Sequence, residues 1–306
     1  MNLDSDTRAG TEPLPRPPSP EAERITVLAE LLDLLDLRCV PGPADTFTGG
    51  SLDSPMTRIF GGQLLAQSLM AAHRTVPDDR PVHSLHAYFL RPGDPQIPLT
   101  LTVERLRDGK SFSARQVTVL QDGRPILSMI SSFQRPGPGP DHQVPMPAVP
   151  APEELPSLAQ RYPDIDHPLV RHWTHRHPVQ LHHLERPVLL EPVQGAGPHQ
   201  AVWMRTPAEV PDVPGLHAAL LAYFSDFTVL EPAVRCHGLS WADPELNVAS
   251  LDHSMWWHRE VRIDEWILNV QESPTSGGAR ALGTGRFYSH DGTLVCTVAQ
   301  EGMFRR

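Results

Sequence analysis

The alternation of apolar and polar positions divides the chain into a polar lead, two runs that each pass from helix to strands, and a proline-rich bridge between them. Residues 1–24 are polar and Pro-rich and are expected to form a disordered tail, since such a segment buries too little apolar surface to offset the entropy of ordering. From Ile25 the run ITVLAELLDLLDL places apolar residues at 25, 27, 28, 31, 32, 34 and 35 with acidic residues between them. That spacing predicts an amphipathic helix packed on a larger body, and the pattern stops at Pro41, too soon for a coiled coil. Two other segments, GGQLLAQSLMAAHR (61–74) and LHAALLAYFSDFTVL (216–230), are apolar nearly all round, as enclosed helices are. Each precedes runs rich in β-branched and aromatic residues: HSLHAYFL, PLTLTVERL and SARQVTVLQDGRPILSMISSFQ in the first half, VASLDHSMWW, WILNVQES and GTGRFYSHDGTLVCTVAQEGMF in the second. Asp122-Gly123 and Asp291-Gly292 each sit between two such runs, where a tight hairpin needs residues that tolerate positive φ.

These parallels predict an α+β fold with an internal repeat of helix followed by hairpin-rich sheet. In the register the sequence suggests, His86 falls on His253 and Glu104 on Gln271 at an offset of 167, the Asp-Gly turns match at 169, and Leu65-Ala66 lies over Leu221-Ala222 at 156. The bridge, residues 136–185, holds 11 of the 34 prolines, a density that removes helix and ladder donors and predicts an extended surface linker. Four segments follow: a tail (1–24), a first module (25–135), a linker (136–185) and a second module (186–306).

Composition narrows the function. A net charge of -10 argues against nucleic acid as a partner, although among 26 basic residues only Lys110 is lysine, so nearly every cation is a guanidinium suited to phosphate. No stretch of 18 or more apolar residues occurs, and the opening MNLDSDTRAGTEPLPRPPSPEAER has no basic run leading into an apolar one, so neither a membrane span nor a secretory signal is expected. Cys39, Cys236 and Cys296 show no zinc or C-x-x-C spacing, which fits a reducing, cytoplasmic location. His167, His172, His175, His177, His182 and His183 crowd the linker without carboxylate or thiolate spacing, and are expected to be surface histidines rather than a metal site.

The chain has no dinucleotide or triphosphate loop and no H-E-x-x-H. Gly238-Leu239-Ser240-Trp241-Ala242 lacks the last glycine of a nucleophile elbow and does not follow a buried strand. Asp226 is the sharper signal, because an ionised carboxylate inside AALLAYFSDFTVL has to be hydrogen-bonded or strongly perturbed. A functional carboxylate and a helix-terminal Asp reaching solvent both fit that position.

FGGQLLAQSL (60–69), HSLHAYFLRPGD (83–94), LRDGKSFSARQV (106–117), SDFTVL (225–230), LDHSMWWHR (251–259) and VAQEGMFR (298–305), in that order, resemble the type II acyl-CoA thioesterases. The resemblance runs from about residue 26 to the C-terminus, apart from the linker. It implies two fused hotdog modules, each a central helix wrapped by an antiparallel sheet, and hydrolysis of fatty acyl-CoA to free acid and coenzyme A without metal or cofactor. It further implies an aspartate, a hydroxyl and a glutamine as the catalytic set, which fall on Asp226, Ser250 and Gln300. Some members carry threonine where this chain has Ser250. A dimer or higher homo-oligomer is also implied. A peroxisomal address would need an S-K-L type ending, whereas this chain ends MFRR.

In the sequence register Asp226 lies over Met70, Ser250 over His83 and Gln300 over Ser131, so one site per chain is expected. Gly61 and Gly62, ahead of the first enclosed helix, suit either an oxyanion hole or tight helix packing. His83 and His86 fall on opposite faces of a strand, so at most one faces a site. Arg91 suits a turn contact or the coenzyme A pyrophosphate. Of Trp256 and Trp257, one is expected in the core and the other beside the acyl chain. Two rivals remain at this stage: another hotdog enzyme such as a hydratase, disfavoured because no His follows Asp226 until His237, and a silent acyl-CoA binding protein.

Overall fold

The computed structural model describes residues 19–41, 45–52 and 57–306. Most of the expected tail lies outside them, but its last residues are helical. α1 runs Pro20–Leu35, five residues ahead of the apolar pattern, because Ser19 accepts the Ala22 N–H (3.3 Å) and proline fits the first helical position. Val27, Leu28, Leu31 and Leu35 are its buried stripe, as the spacing predicts.

After β1 (Arg38–Cys39) and β2 (Thr46–Gly49), the first half continues with α2 (Gly61–His73) and β3 (Val82–Phe89), β4 (Leu99–Asp108), β5 (Phe112–Gln121) and β6 (Arg124–Gln134). Two short helices, α3 (Leu158–Arg161) and α4 (Pro168–His175), then lead to β7 (Gln180–His183) and β8 (His199–Arg205). α5 (Leu216–Ser225), α6 (Glu231–Cys236), β9 (Asn247–Ser250), β10 (Asp252–Trp257), β11 (Ile267–Gly277), β12 (Arg280–Ser289) and β13 (Leu294–Arg305) complete the chain. One antiparallel sheet of 13 strands runs β1-β2-β4-β5-β6-β3-β10-β13-β12-β11-β8-β7, with β9 on β13. The halves join where β3 pairs β10. α2 and α5 lie in the concavity against each other, and α2 buries every residue from Gly62 to His73, which is why its sequence is apolar all round. In the β5–β6 hairpin Asp122 and Gly123 take φ of 49° and 73°, the two-positive-φ turn that Asp-Gly favours.

The linker is extended only up to residue 151, where Met146 and Val149 cover Trp203 and Trp266 on the outer face of the sheet and Trp203 Nε1 donates to the Pro150 carbonyl (3.0 Å). Beyond it the expectation of an extended surface strap is wrong. Prolines at 152 and 168 stand at first-turn helix positions, where they cost no hydrogen bond, and β7 is the sheet's edge strand on β8. The second sheet thus begins before residue 186. Nor are the bridge histidines all at the surface: His177 and His183 are each 4% exposed. The His177 ring stacks on Trp173 (4.5 Å) and meets Phe227 (3.9 Å), and its apolar neighbours account for its burial.

The repeat is present, but the strands are one residue out of the predicted register. Ser254 pairs with Ala299, which sets His253 opposite Gln300, whose side chain it meets, and Ser131, the counterpart of Gln300, pairs with Leu85. His253 therefore corresponds to Leu85, 168 residues earlier, and not to His86. Likewise Gln271 opposite Gly285 matches Val103 opposite Val117, not Glu104. Burial agrees: Leu85 and His253 are both fully enclosed, whereas His86 is exposed and meets Ser254 Oγ (3.0 Å) on the outer face. A slip of one residue exchanges the two faces of a strand, so the error hid a buried histidine behind an exposed one.

Candidate active site

α5 ends at Ser225, and Asp226 is its C-cap rather than a residue of the helix interior. A carboxylate is unfavourable at a helix C-terminus, where the partial charge is negative. The compensation comes from the opposite helix. The Gly62 N–H in the first turn of α2 donates to Asp226 Oδ2 (2.9 Å), so the positive end of one central helix faces the carboxylate on the negative end of the other.

From the second sheet, Ser250 at the end of β9 donates to Asp226 Oδ1 (3.1 Å), and Gln300 Nε2 on β13 donates to Ser250 Oγ (2.9 Å). Gln300 is 1% exposed, whereas Asp226 and Ser250 remain partly open to solvent. Behind them the Ser225 hydroxyl meets His253 Nε2 (2.8 Å), and His253 Nδ1 meets Gln300 Oε1 in a short contact. Phe60 stacks on Phe227 (4.8 Å), the residue after Asp226, and stands edge-on to Tyr223 (5.2 Å), so aromatic rings crowd the end of α5. Removal from water pushes the Asp226 carboxyl up to about 6, against the pull of hydrogen bonds from Gln300, Ser250 and Gly62 and of the Arg58 charge. Arg58 is itself anchored, its Nη2 donating to the Val248 carbonyl (2.7 Å). Gln200 Nε2 pins the turn after Asp226 through the Thr228 carbonyl (3.3 Å).

The structure thus brings Asp226, Ser250, Gln300 and Gly62 together, with Gly61 beside them. His83 and Arg91 lie elsewhere. His83 bonds Ser132 Oγ (2.8 Å) and meets Phe112 edge-on, six residues along β3 from the Phe89 ring that packs against Gly61. Arg91 donates to the Pro125 carbonyl (2.7 Å), which is the turn contact. Trp257 is in the core, and Trp256 is 37% exposed on the outer face beside His86. Sequence reasoning missed Arg58, Ser225 and His253. The last was findable, because HSLHAYF and LDHSMWW both put a histidine on a strand and only the register had to be right. Among the described residues, no group of three His, Cys, Asp or Glu side chains is placed to hold a metal ion.

Both glycines are required by close approach. A Cβ on Gly61 would stand 2.6 Å from Asp226 Oδ2, and one on Gly62 would stand 2.4 Å from the Tyr223 carbonyl oxygen. The second obstacle is helix backbone and cannot swing away. Gly62→Ala is therefore expected to force α2 and α5 apart, at about 1–3 kcal/mol of stability, and to draw its N–H off the carboxylate. A lower thermal midpoint together with a loss of activity in the folded fraction is the predicted result; an unchanged midpoint would contradict the packing.

A family model described as acyl-CoA thioesterase matches residues 175–303, and one described as acyl-CoA thioesterase N-terminal domain matches 52–134. The chain is 39% identical over 284 residues to the human protein named acyl-coenzyme A thioesterase 8, covering 88% of this chain and 87% of that one. A solved acyl-CoA thioesterase II from Mycobacterium marinum is 41% identical, with a TM-score of 0.74 over 90% of this chain and 98% of its own. A hot dog fold protein from Alicyclobacillus acidocaldarius, 19% identical, shares the fold at a TM-score of 0.73 over 90% of this chain and 98% of its own.

Proposed function

The chain belongs to the acyl-CoA thioesterase family, and on that premise we propose that it hydrolyses fatty acyl-CoA to a fatty acid and coenzyme A by direct attack of a water molecule held at Asp226, Ser250 and Gln300. The observation that carries the reading is the position of Asp226: a partly open carboxylate with its proton affinity raised to about 6, bound on one side by Ser250 and on the other by the N-terminus of α2.

Neutral water is a poor nucleophile toward a thioester, so its proton has to leave as its oxygen bonds to the carbonyl carbon. An ionised Asp226 accepts that proton, and a carboxyl poised near 6 is both ionised at pH 7.5 and basic enough to take it. Ser250 and Gln300 fix the water's approach. As the tetrahedral oxyanion collapses, the C–S bond breaks with its electron pair on sulfur, and the Asp226 carboxylic acid returns the proton to the thiolate. The Gly62 N–H serves the carboxylate in this geometry. The Gly61 N–H, in the open first turn of α2, is left as the oxyanion donor.

Ser250→Ala is expected to lower kcat by about 10-fold or more with KM little changed, whereas Ser250→Thr, which keeps the hydroxyl, should stay within about threefold of native. Thiol release from acyl-CoA of increasing chain length measures both, and names the preferred substrate. An Ala variant as active as native would remove Ser250 from the site.

The first half lacks this polar set, so one site per chain belongs to the proposal. The free cysteines suit a reducing cytoplasm. Exposed Tyr88, Ile130 and Trp256 on the adjacent strands β3, β6 and β10 suit burial against a second copy in a dimer or higher homo-oligomer.

A further inference from the structure

The hydrogen bonds around Asp226 have a direction that the carboxylate itself dictates. An ionised carboxylate only accepts, so Ser250 gives its single hydrogen to Asp226 Oδ1. Ser250 Oγ is then an acceptor, and it is met by the Gln300 amide nitrogen at 2.9 Å. With Nε2 turned to Ser250, Gln300 presents its oxygen to His253 Nδ1, and two facing lone pairs would repel. Nδ1 must carry a hydrogen. Burial pushes the His253 ring down to about 4, so it is neutral at pH 7 and its Nε2 is bare. The Ser225 hydroxyl, 2.8 Å from Nε2, supplies the hydrogen there, in preference to the Ala222 carbonyl 2.9 Å away.

From this we propose that His253 is the positioning residue of the site: its Nδ1–H holds the Gln300 oxygen and so fixes which end of that amide faces Ser250 and Asp226. The inference rests on the hydrolytic reading above and extends it by one residue. A glutamine amide rotated by half a turn would offer oxygen to Ser250 and Asp226, drawing the Ser250 hydrogen away and placing a lone pair against the carboxylate. Ser250 and Asp226 select the nitrogen end of the amide, and among the described residues His253 Nδ1 is the partner that holds the oxygen end. The first half supplies a control. Leu85, at the position matching His253, is equally enclosed and pairs with Ser131, which has no amide to orient.

The test is a double-mutant cycle with a spectroscopic arm. His253→Leu, a side chain this fold already accepts at Leu85, should lower kcat by about 20-fold or more while KM stays within about threefold. His253→Asn places an amide nitrogen where Nδ1 stood and should recover kcat to within about fivefold of native. In a Gln300→Leu background, where there is no amide to hold, adding His253→Leu should cost less than about threefold. Nitrogen NMR of the labelled native protein at pH 7 should show a neutral His253 protonated at Nδ1, and this reading stands even if a variant fails to fold. The inference is overturned by an Nε2-protonated or cationic His253, by equal losses in the Leu and Asn variants, or by an undiminished loss in the Gln300→Leu background. Failure of the hydrolytic reading looks different: the native chain releases no thiol, while the NMR arm still reports on His253.

Discussion

Asp226→Asn is expected to lower kcat for thiol release by about 100-fold or more with the fold intact, the scale on which removing a general base is felt. Asn has nearly the same shape, can accept from the Gly62 N–H with its oxygen and can donate to Ser250 Oγ, so the arrangement survives while the proton acceptor is lost. For the native chain, kcat/KM should fall about tenfold per pH unit below about 6, because the reaction needs the ionised form of a carboxyl whose proton affinity is raised to that value. The same shift has a stability sign. A carboxyl with a raised folded-state value favours folding fully below its unfolded value near 3.8, and that contribution is lost as pH rises through about 6. At pH 8 the ionised Asp226 thus costs stability, and the Asn variant should melt no lower than native. A variant that keeps its activity, or a profile flat between pH 5 and pH 8, would remove Asp226 as the base.

The largest stability effect is expected away from the site, at Arg115. This side chain is fully buried on β5, at the place where the second half has Gly283, since Arg115 pairs with Ser131 as Gly283 pairs with Gln300. Its guanidinium donates to Thr75 Oγ1 (2.7 Å) and the Thr75 carbonyl (2.8 Å) just past the end of α2, to the Arg107 carbonyl (3.0 Å) and to Asp108 Oδ1 (2.7 Å). The end of α2 in the first half is thus closed by a paired cation, whereas the end of α5 in the second half is left open around Asp226. Arg115→Leu strands buried acceptors and should cost about 3 kcal/mol or more, read as a fall in the urea midpoint. Activity per folded molecule should remain near native, because Arg115 holds the C-terminal end of α2, at Thr75, whereas the site uses the opposite, N-terminal turn of that helix at Gly61 and Gly62. A folded but inactive Arg115→Leu would contradict that separation of the two ends of α2.

Legibility in the sequence followed the physics of each signal. The enclosed helices could be read because burial on all sides leaves no polar face, as in α2. Asp226 could be read because a lone carboxylate in apolar surroundings has few tolerable explanations. The break of α5 at Ser225 could not, since FTVL continues the apolar pattern and the groups that bond the turn, Gln200 at Thr228 and the α2 terminus at Asp226, are distant in sequence. Ser250 and Gln300 are ordinary strand residues by periodicity, and only their motifs single them out. Arg115 was invisible because a charged residue opening a strand reads as exposed unless its partners, Thr75 and Asp108, are known. His253 was lost to a one-residue register slip, which on a strand inverts the inward and outward faces.

A single-turnover reaction in ¹⁸O-labelled water, enzyme in excess over acyl-CoA, followed by mass spectrometry of the acid and the protein, tests direct water attack without intermediaries. If water held at Asp226 attacks the thioester, the fatty acid carries one ¹⁸O after the first turnover, thiol and acid appear together, and no acyl mass or label is found on the protein. Unlabelled acid with ¹⁸O in Asp226, or thiol released ahead of acid with an acylated protein, would mean that a side chain attacks instead.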